Sequence, residues 1–175
     1  MRSDFTPRDE FRHLLAALSV PNRLALETSL ATGLRISDVL NLKSADLKPR
    51  FTVRELKTGK NLKVYIPNSL LVRLKALSGK IYVFENRLSY LRPRTRQAVY
   101  KDLKRVCKIF RIKNLQLSPH SARKIFAVSE FRKHKNLDRV KQLLNHSSEA
   151  ITILYAMADN LTSSTLSLSS GDQSH

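Results

Sequence analysis

Apolar residues recur at helical spacing through most of this chain of 175 residues, and the period drops to two in one stretch near its middle. Thr6-Pro7 ahead of Arg8, Asp9 and Glu10 predicts an N-cap, a proline at the first helical position and acids in the first turn; Leu14, Leu15 and Leu18 then form the apolar face. A second helix starts near Pro21, carries Leu24, Ala25, Leu26, Leu30 and Ala31, and ends at Gly33 as a left-handed cap. A short helix follows over 36–42. The segments FTVRELK and NLKVYIP alternate, predicting two short strands joined by a turn at Thr58-Gly59-Lys60.

Helical spacing returns over 68–77 through Leu70, Leu71, Leu74 and Leu77, and IYVF at 81–84 reads as a short edge strand or a buried link. A long basic helix over 95–110 places Val99, Leu103, Val106 and Phe110 on one face and Arg96, Lys101, Lys104, Arg105 and Lys108 mostly off it. Ser118-Pro119 opens a helix burying Ile125, Phe126 and Val128, and shorter helices are expected over 137–144 and 149–158. The pattern predicts an α+β fold, mainly α, with a small antiparallel sheet of two or three strands. Residues 1–160 form one domain on this reading. The segment 161–175 is a Ser/Thr-rich tail in which Leu161, Leu166 and Leu168 are the apolar residues.

Charge changes the picture. The formal net charge is +18, and it is concentrated: eight basic against six acidic residues in 1–50, eleven against two in 51–100, thirteen against four in 101–150, none against two beyond. Such an excess repels itself and calls for a polyanion, nucleic acid before an anionic membrane surface. No stretch approaches the roughly 20 apolar residues of a membrane span, and no signal-peptide core opens the chain. One cysteine, Cys107, excludes an intramolecular disulfide and multi-cysteine zinc sites, consistent with a reducing, cytoplasmic setting. On the basic helix Cys107 is a small packing residue or an exposed thiol.

Five separated segments carry candidate chemistry: ATGLRISD with Arg35, ELKTGK with Lys57, SPHSARK with His120 and Arg123, LLNHSS with His146, and ITILYAMAD with Tyr155. Each alone is weak, since an arginine at a helix start or a lysine beside a turn is commonly a surface group, and Tyr155 among Ile151, Leu154 and Met157 fits a core. In this order, over roughly residues 10–158, they closely resemble the tyrosine recombinase, or phage integrase, family. The resemblance implies that Arg35 and Arg123 clamp the scissile phosphate, that Lys57 is the hairpin lysine, that His120 and His146 are the two active-site histidines, and that Tyr155 is the nucleophile. Asp38 stands where the family commonly has an acid holding the site together; the other reading is a solvated helix acid. Ala122, Lys124 and Asn145 depart from the family's usual leucine, histidine and glycine. Asn145 must then tolerate whatever backbone that glycine adopts, left-handed included.

The residue types suit that chemistry. Attack on a phosphodiester builds charge on non-bridging oxygens, which guanidinium forks match with paired donors. A tyrosine hydroxyl with pKa about 10 needs a base such as His120, and the 5′ oxygen needs a proton, which Lys57 can deliver. The resemblance implies cleavage and rejoining of DNA strands through a 3′-phosphotyrosyl bond, with neither cofactor nor metal. It implies a homotetramer on paired double-stranded DNA sites, with accessory DNA-bending proteins as further partners. Arg94, Arg96, Lys101, Lys104 and Lys124 are the expected DNA-backbone contacts. Competing readings are a type IB topoisomerase-like enzyme and a non-enzymatic DNA-binding regulator. With about ten residues where the family usually has a core-binding domain, the sequence reads as a catalytic-domain fragment or a short single-domain member.

Overall fold

The computed structural model describes residues 8–112, 117–145 and 148. The Thr6-Pro7 cap, the helix expected over 149–158 and the tail from 161 lie outside the described residues. The chain divides into two compact units, Met1–Phe126 and Ala127–His175.

In the first unit, α1 (Arg8–Ala16), α2 (Val20–Thr32) and α3 (Ile36–Leu40) are followed by a 3₁₀ turn at Ser44–Asp46 and by the strands β1 (Arg50–Arg54) and β2 (Asn61–Tyr65). Then come α4 (Asn68–Leu77), the ribbon of β3 (Glu85–Asn86) and β4 (Ser89–Pro93), and α5 (Arg96–Ile109). The last helix of this unit, α6 (His120–His134), runs on into the second, which also holds α7 (Leu137–Leu144). The fold is mainly α, as the periodicity predicts, with two separate two-stranded antiparallel sheets where one sheet of two or three strands is expected.

The centre is α2, which packs against α1, α3, α4 and α5. Being surrounded, it buries polar residues as well as Leu24, Ala25, Leu26 and Leu30. Thr28 and Thr32 hydroxyls donate to the carbonyls of Leu24 and Thr28 (2.8 and 2.7 Å), so these buried groups are satisfied within their own helix. Around it Phe11, Leu15, Val39, Ile66, Leu74, Phe84, Val99, Leu103 and Val106 complete one continuous core. Each such side chain contributes about 1.5–3 kcal/mol by leaving water.

The alternation at 51–67 forms a hairpin in the register Arg50 with Tyr65 through Arg54 with Asn61. Its connection is longer than the sequence pattern implies. The strand stops at Arg54, and residues 55–60 form a loop closed by Glu55 N–H to Lys60 O (2.9 Å) and Gly59 N–H to Glu55 O (2.8 Å). IYVF at 81–84 is a buried link, with Val83 and Phe84 inside and one bridge between Tyr82 and Lys43. The second ribbon, β3–β4, follows directly and comes without warning from the sequence; its two strands pair with each other and not with β1–β2.

On α5, Val99, Leu103 and Val106 are fully buried, but Phe110 is 52% exposed. The helix ends at Ile109; Phe110 N–H still closes on Val106 O (3.0 Å), but the chain turns off at Arg111, φ 53°, and the Phe110 ring at the helix end is left uncovered. Cys107 takes the inner place instead, and burial pushes its thiol pKa up, which keeps it an inert packing residue. The polar side of α5 meets the start of α2. Asp102 Oδ2 accepts from Ser19 N–H, Ser19 Oγ and Asn22 Nδ2 (3.0, 2.8 and 2.7 Å), while Oδ1 accepts from Arg105 Nε and Nη2 (3.0 and 2.7 Å).

In the second unit, Asn136 caps α7 by accepting from Arg139 N–H (2.9 Å), Val140 and Leu144 are buried, and Asn145 ends the helix at φ 52°. Asn145 therefore adopts the left-handed backbone that a glycine would otherwise supply.

Candidate active site

Gly33 ends α2 in the left-handed region, φ 73°, where its N–H closes on Ser29 O at 2.9 Å. A glycine is required for two reasons, since a Cβ here would also stand 2.5 Å from the ring of Phe126. The turn brings Leu34 inside and makes Arg35 the N-cap of α3. Its side chain points inward and is 6% exposed.

There Arg35 Nη1 donates to Glu55 Oε1 at 2.6 Å. Arg123, on the first turn of α6, brings its own Nη1 to 3.8 Å from the same oxygen and donates from it to Gly33 O at 2.5 Å. Two guanidiniums from distant parts of the sequence thus converge on one carboxylate whose side chain is fully buried. Burying an ion pair brings little net stability, whereas removing one partner strands a charge at a cost of roughly 3–5 kcal/mol.

Asp38 is 2% exposed, which rules out the solvated reading. Its Oδ1 accepts from Leu56 N–H at 2.9 Å, while Oδ2 is buried and finds no hydrogen-bond partner among the described residues. Burial pushes its carboxyl pKa up and Glu55 adds to this, against the lowering pull of the Leu56 N–H, Arg35 and Arg123.

Lys57 is exposed in the 55–60 loop, two residues beyond Glu55. His120 is exposed at the start of α6, one turn ahead of Arg123, with its backbone N–H donating to Ser118 Oγ (3.2 Å). His146 and Tyr155 lie outside the described residues. Of the expected set, the structure brings Arg35, Asp38 and Arg123 into one cluster, with the Lys57 loop anchored to it. Glu55 is the member the sequence reading missed. Its signal was in the alternation, because Phe51, Val53 and Glu55 share the inward register, and an acid on that face has to meet a cation.

Among the expected DNA contacts, Arg96, Lys101 and Lys104 are exposed on α5 and Lys124 is partly buried on α6. Arg94 is already engaged. Its Nε donates to Asn22 Oδ1, and burial lowers its guanidinium pKa against the attraction of Asp102. Among the described residues no helix is long and apolar enough to cross a membrane.

The phage integrase family model matches residues 5–161. The chain belongs to the phage integrase family. This member is 32% identical over 163 residues to a tyrosine recombinase of Thermosipho africanus, covering 87% of this chain and 56% of that one. It is 28% identical over 168 residues to the tyrosine recombinase XerA of Pyrococcus furiosus, covering 85% and 51%. The chain thus spans about half the length of each. In structure it resembles the XerH site-specific recombinase in a post-cleavage complex with a palindromic difH substrate, at TM-score 0.70 and 20% identity over 85% of this chain and 46% of the other. That likeness establishes the integrase-family fold.

Proposed function

We propose that this chain is the catalytic part of a site-specific DNA recombinase that cuts and rejoins strands through a 3′-phosphotyrosyl intermediate. Residues 1–160 are its catalytic domain, and 161–175 form a tail that docks on a neighbouring protomer. The observation that carries the reading is the convergence of Arg35 and Arg123 on one buried carboxylate oxygen. Held in place before DNA arrives, two planar donors facing one phosphate would stabilise the charge that develops on its non-bridging oxygens.

In this reading Tyr155 Oη bonds to phosphorus as the P–O5′ bond breaks. His120 takes the tyrosine proton, Lys57 supplies a proton to the departing 5′ oxygen, and His146 donates a hydrogen bond to the phosphate. The free 5′ hydroxyl, from the same or a partner duplex, reverses the step, so the bond energy is conserved in the phosphotyrosine. Arg94, Arg96, Lys101, Lys104 and Lys124 hold the DNA backbone, with Arg94 releasing Asn22 to do so. The working form is a homotetramer on paired double-stranded sites, assisted by DNA-bending proteins, in the cytoplasm and associated with DNA.

The test is covalent trapping on nicked duplexes drawn from the gene's own neighbourhood, without metal or ATP. A protein–DNA adduct on a denaturing gel, lost in Tyr155→Phe, is the expected result. Salt-sensitive binding without an adduct would replace the reading with a DNA-binding regulator. Relaxation of supercoils without paired sites would replace it with a topoisomerase.

A further inference from the structure

Glu55 holds more than an ion pair. Its Oε1 receives Arg35 at 2.6 Å with Arg123 at 3.8 Å, while Oε2 accepts from Thr58 Oγ1 at 2.7 Å. Its backbone closes the same loop at both ends, N–H to Lys60 O and carbonyl from Gly59 N–H, and the next N–H, of Leu56, is held by Asp38. The loop that carries Lys57 is therefore hung from the residue that gathers the arginines. With its side chain fully buried, Glu55 has little freedom to trade one partner for another.

We propose that Glu55 is a positioning residue: one buried carboxylate that fixes the Arg35 and Arg123 guanidiniums with one oxygen and the base of the Lys57 loop with the other. The inference rests on reading those arginines and Lys57 as the groups that meet the scissile phosphate and its leaving oxygen. Glu55 does not touch DNA. It sets the spacing between the charge clamp and the proton donor, a spacing that neither element imposes alone. An isolated pair, Arg35 with Glu55, would orient one guanidinium; the Thr58 bond makes the same side chain a strut between α3 and the hairpin loop.

Two variants of the full chain separate reach from charge. Glu55→Gln keeps the length and an acceptor oxygen but loses the charge. Glu55→Asp keeps the charge and draws the oxygens back by one methylene. The first readout needs no DNA: hydrogen exchange at the arginine side-chain N–H groups, followed by nitrogen-15 NMR. Slow exchange at Arg35 Nη is expected in the parent, accelerated about tenfold or more in both variants, because a hydrogen bond to a charged group is worth about a tenfold to hundredfold change in population. The second is the rate of adduct formation on the nicked duplex, expected to fall about tenfold to a hundredfold while salt-dependent affinity for that duplex stays within about twofold. A merely structural role would lower both together.

Fast exchange at Arg35 in the parent, or unchanged exchange in both variants, overturns the inference whatever the parent does on DNA. Slow parent exchange that both variants abolish, with no adduct from the parent, leaves the strut standing and overturns the catalytic reading of the site instead. If Glu55→Gln does not fold, Glu55→Asp decides between the same outcomes.

Discussion

Two acidic corners of this molecule resemble each other in composition and differ in physics. At the junction of α2 and α5, Asp102 collects five donor contacts from Ser19, Asn22 and Arg105. Burial pushes its carboxyl up, but these bonds outweigh it and hold the pKa at about 2. At the other corner Asp38 has, among the described residues, a single N–H partner for one oxygen and none for the other, and burial holds its pKa above the ordinary value. One corner ties helices together. The other sets an acid of raised pKa beside two buried arginines, at the place where the proposed function puts the chemistry.

If the contrast is sound, substitutions should sort by corner. The largest effect is expected from Lys57→Ala, whose side chain is exposed. Adduct formation should fall by about 10²–10⁴ with no change in melting temperature. Replacing the 5′-bridging oxygen by sulfur, a leaving atom that needs no proton, should restore most of the rate; failure to rescue would remove Lys57 as the acid. Gly33→Ala comes next. A Cβ at φ 73° and 2.5 Å from Phe126 should cost about 2–4 kcal/mol in urea unfolding, and it should slow adduct formation too, because the Gly33 carbonyl holds Arg123.

Asp102→Asn should cost about 2 kcal/mol at neutral pH, following from the drop in pKa from 3.8 to about 2. The sign is definite. With its folded pKa depressed, Asp102 contributes stability above pH 4 and loses it as pH falls from about 4 through about 2, so parent and variant should converge in acid. The smallest effect is expected from Asp38→Asn, within about 1 kcal/mol of the parent, since the amide oxygen can still accept from Leu56 and no charge is buried. Because the folded pKa of Asp38 is raised, its ionisation works against folding as pH rises from 3.8 through that raised value. The parent's disadvantage relative to Asp38→Asn should therefore grow in that window. An Asp38→Asn protein as damaged as Asp102→Asn would erase the contrast.

The local signals were legible where backbone chemistry decides. The glycine cap at Gly33, the proline-started α2 and the 68–77 helix follow from φ preferences and apolar spacing, and each is where the pattern puts it, while the left-handed backbone at Asn145 was open only through the family's glycine at that place. Phe110 and the β3–β4 ribbon were not legible. A helical stripe does not announce where the helix ends and leaves its last residue uncovered, as at Phe110 before the left-handed Arg111, and Glu85 to Pro93 lacks the alternation that identifies β1 and β2. At the site, Arg35, Arg123 and Asp38 were named from motif order, which fixes residue identity and not partners. Glu55 reads as one more position in FTVRELK, although its register already places a charge on the inner face.

The most direct measurement is the rate of covalent adduct formation by Arg123→Lys beside Asp102→Asn, each held at the same interval below its own melting temperature. The lysine keeps the charge but not the planar guanidinium, whose Nη1 meets Gly33 O and Glu55 Oε1 and whose paired donors suit a phosphate. The account predicts a loss of about 10²–10³ for Arg123→Lys and a rate within a few-fold of the parent for Asp102→Asn. Equal rates in all three proteins, or equal losses in both variants, would contradict it.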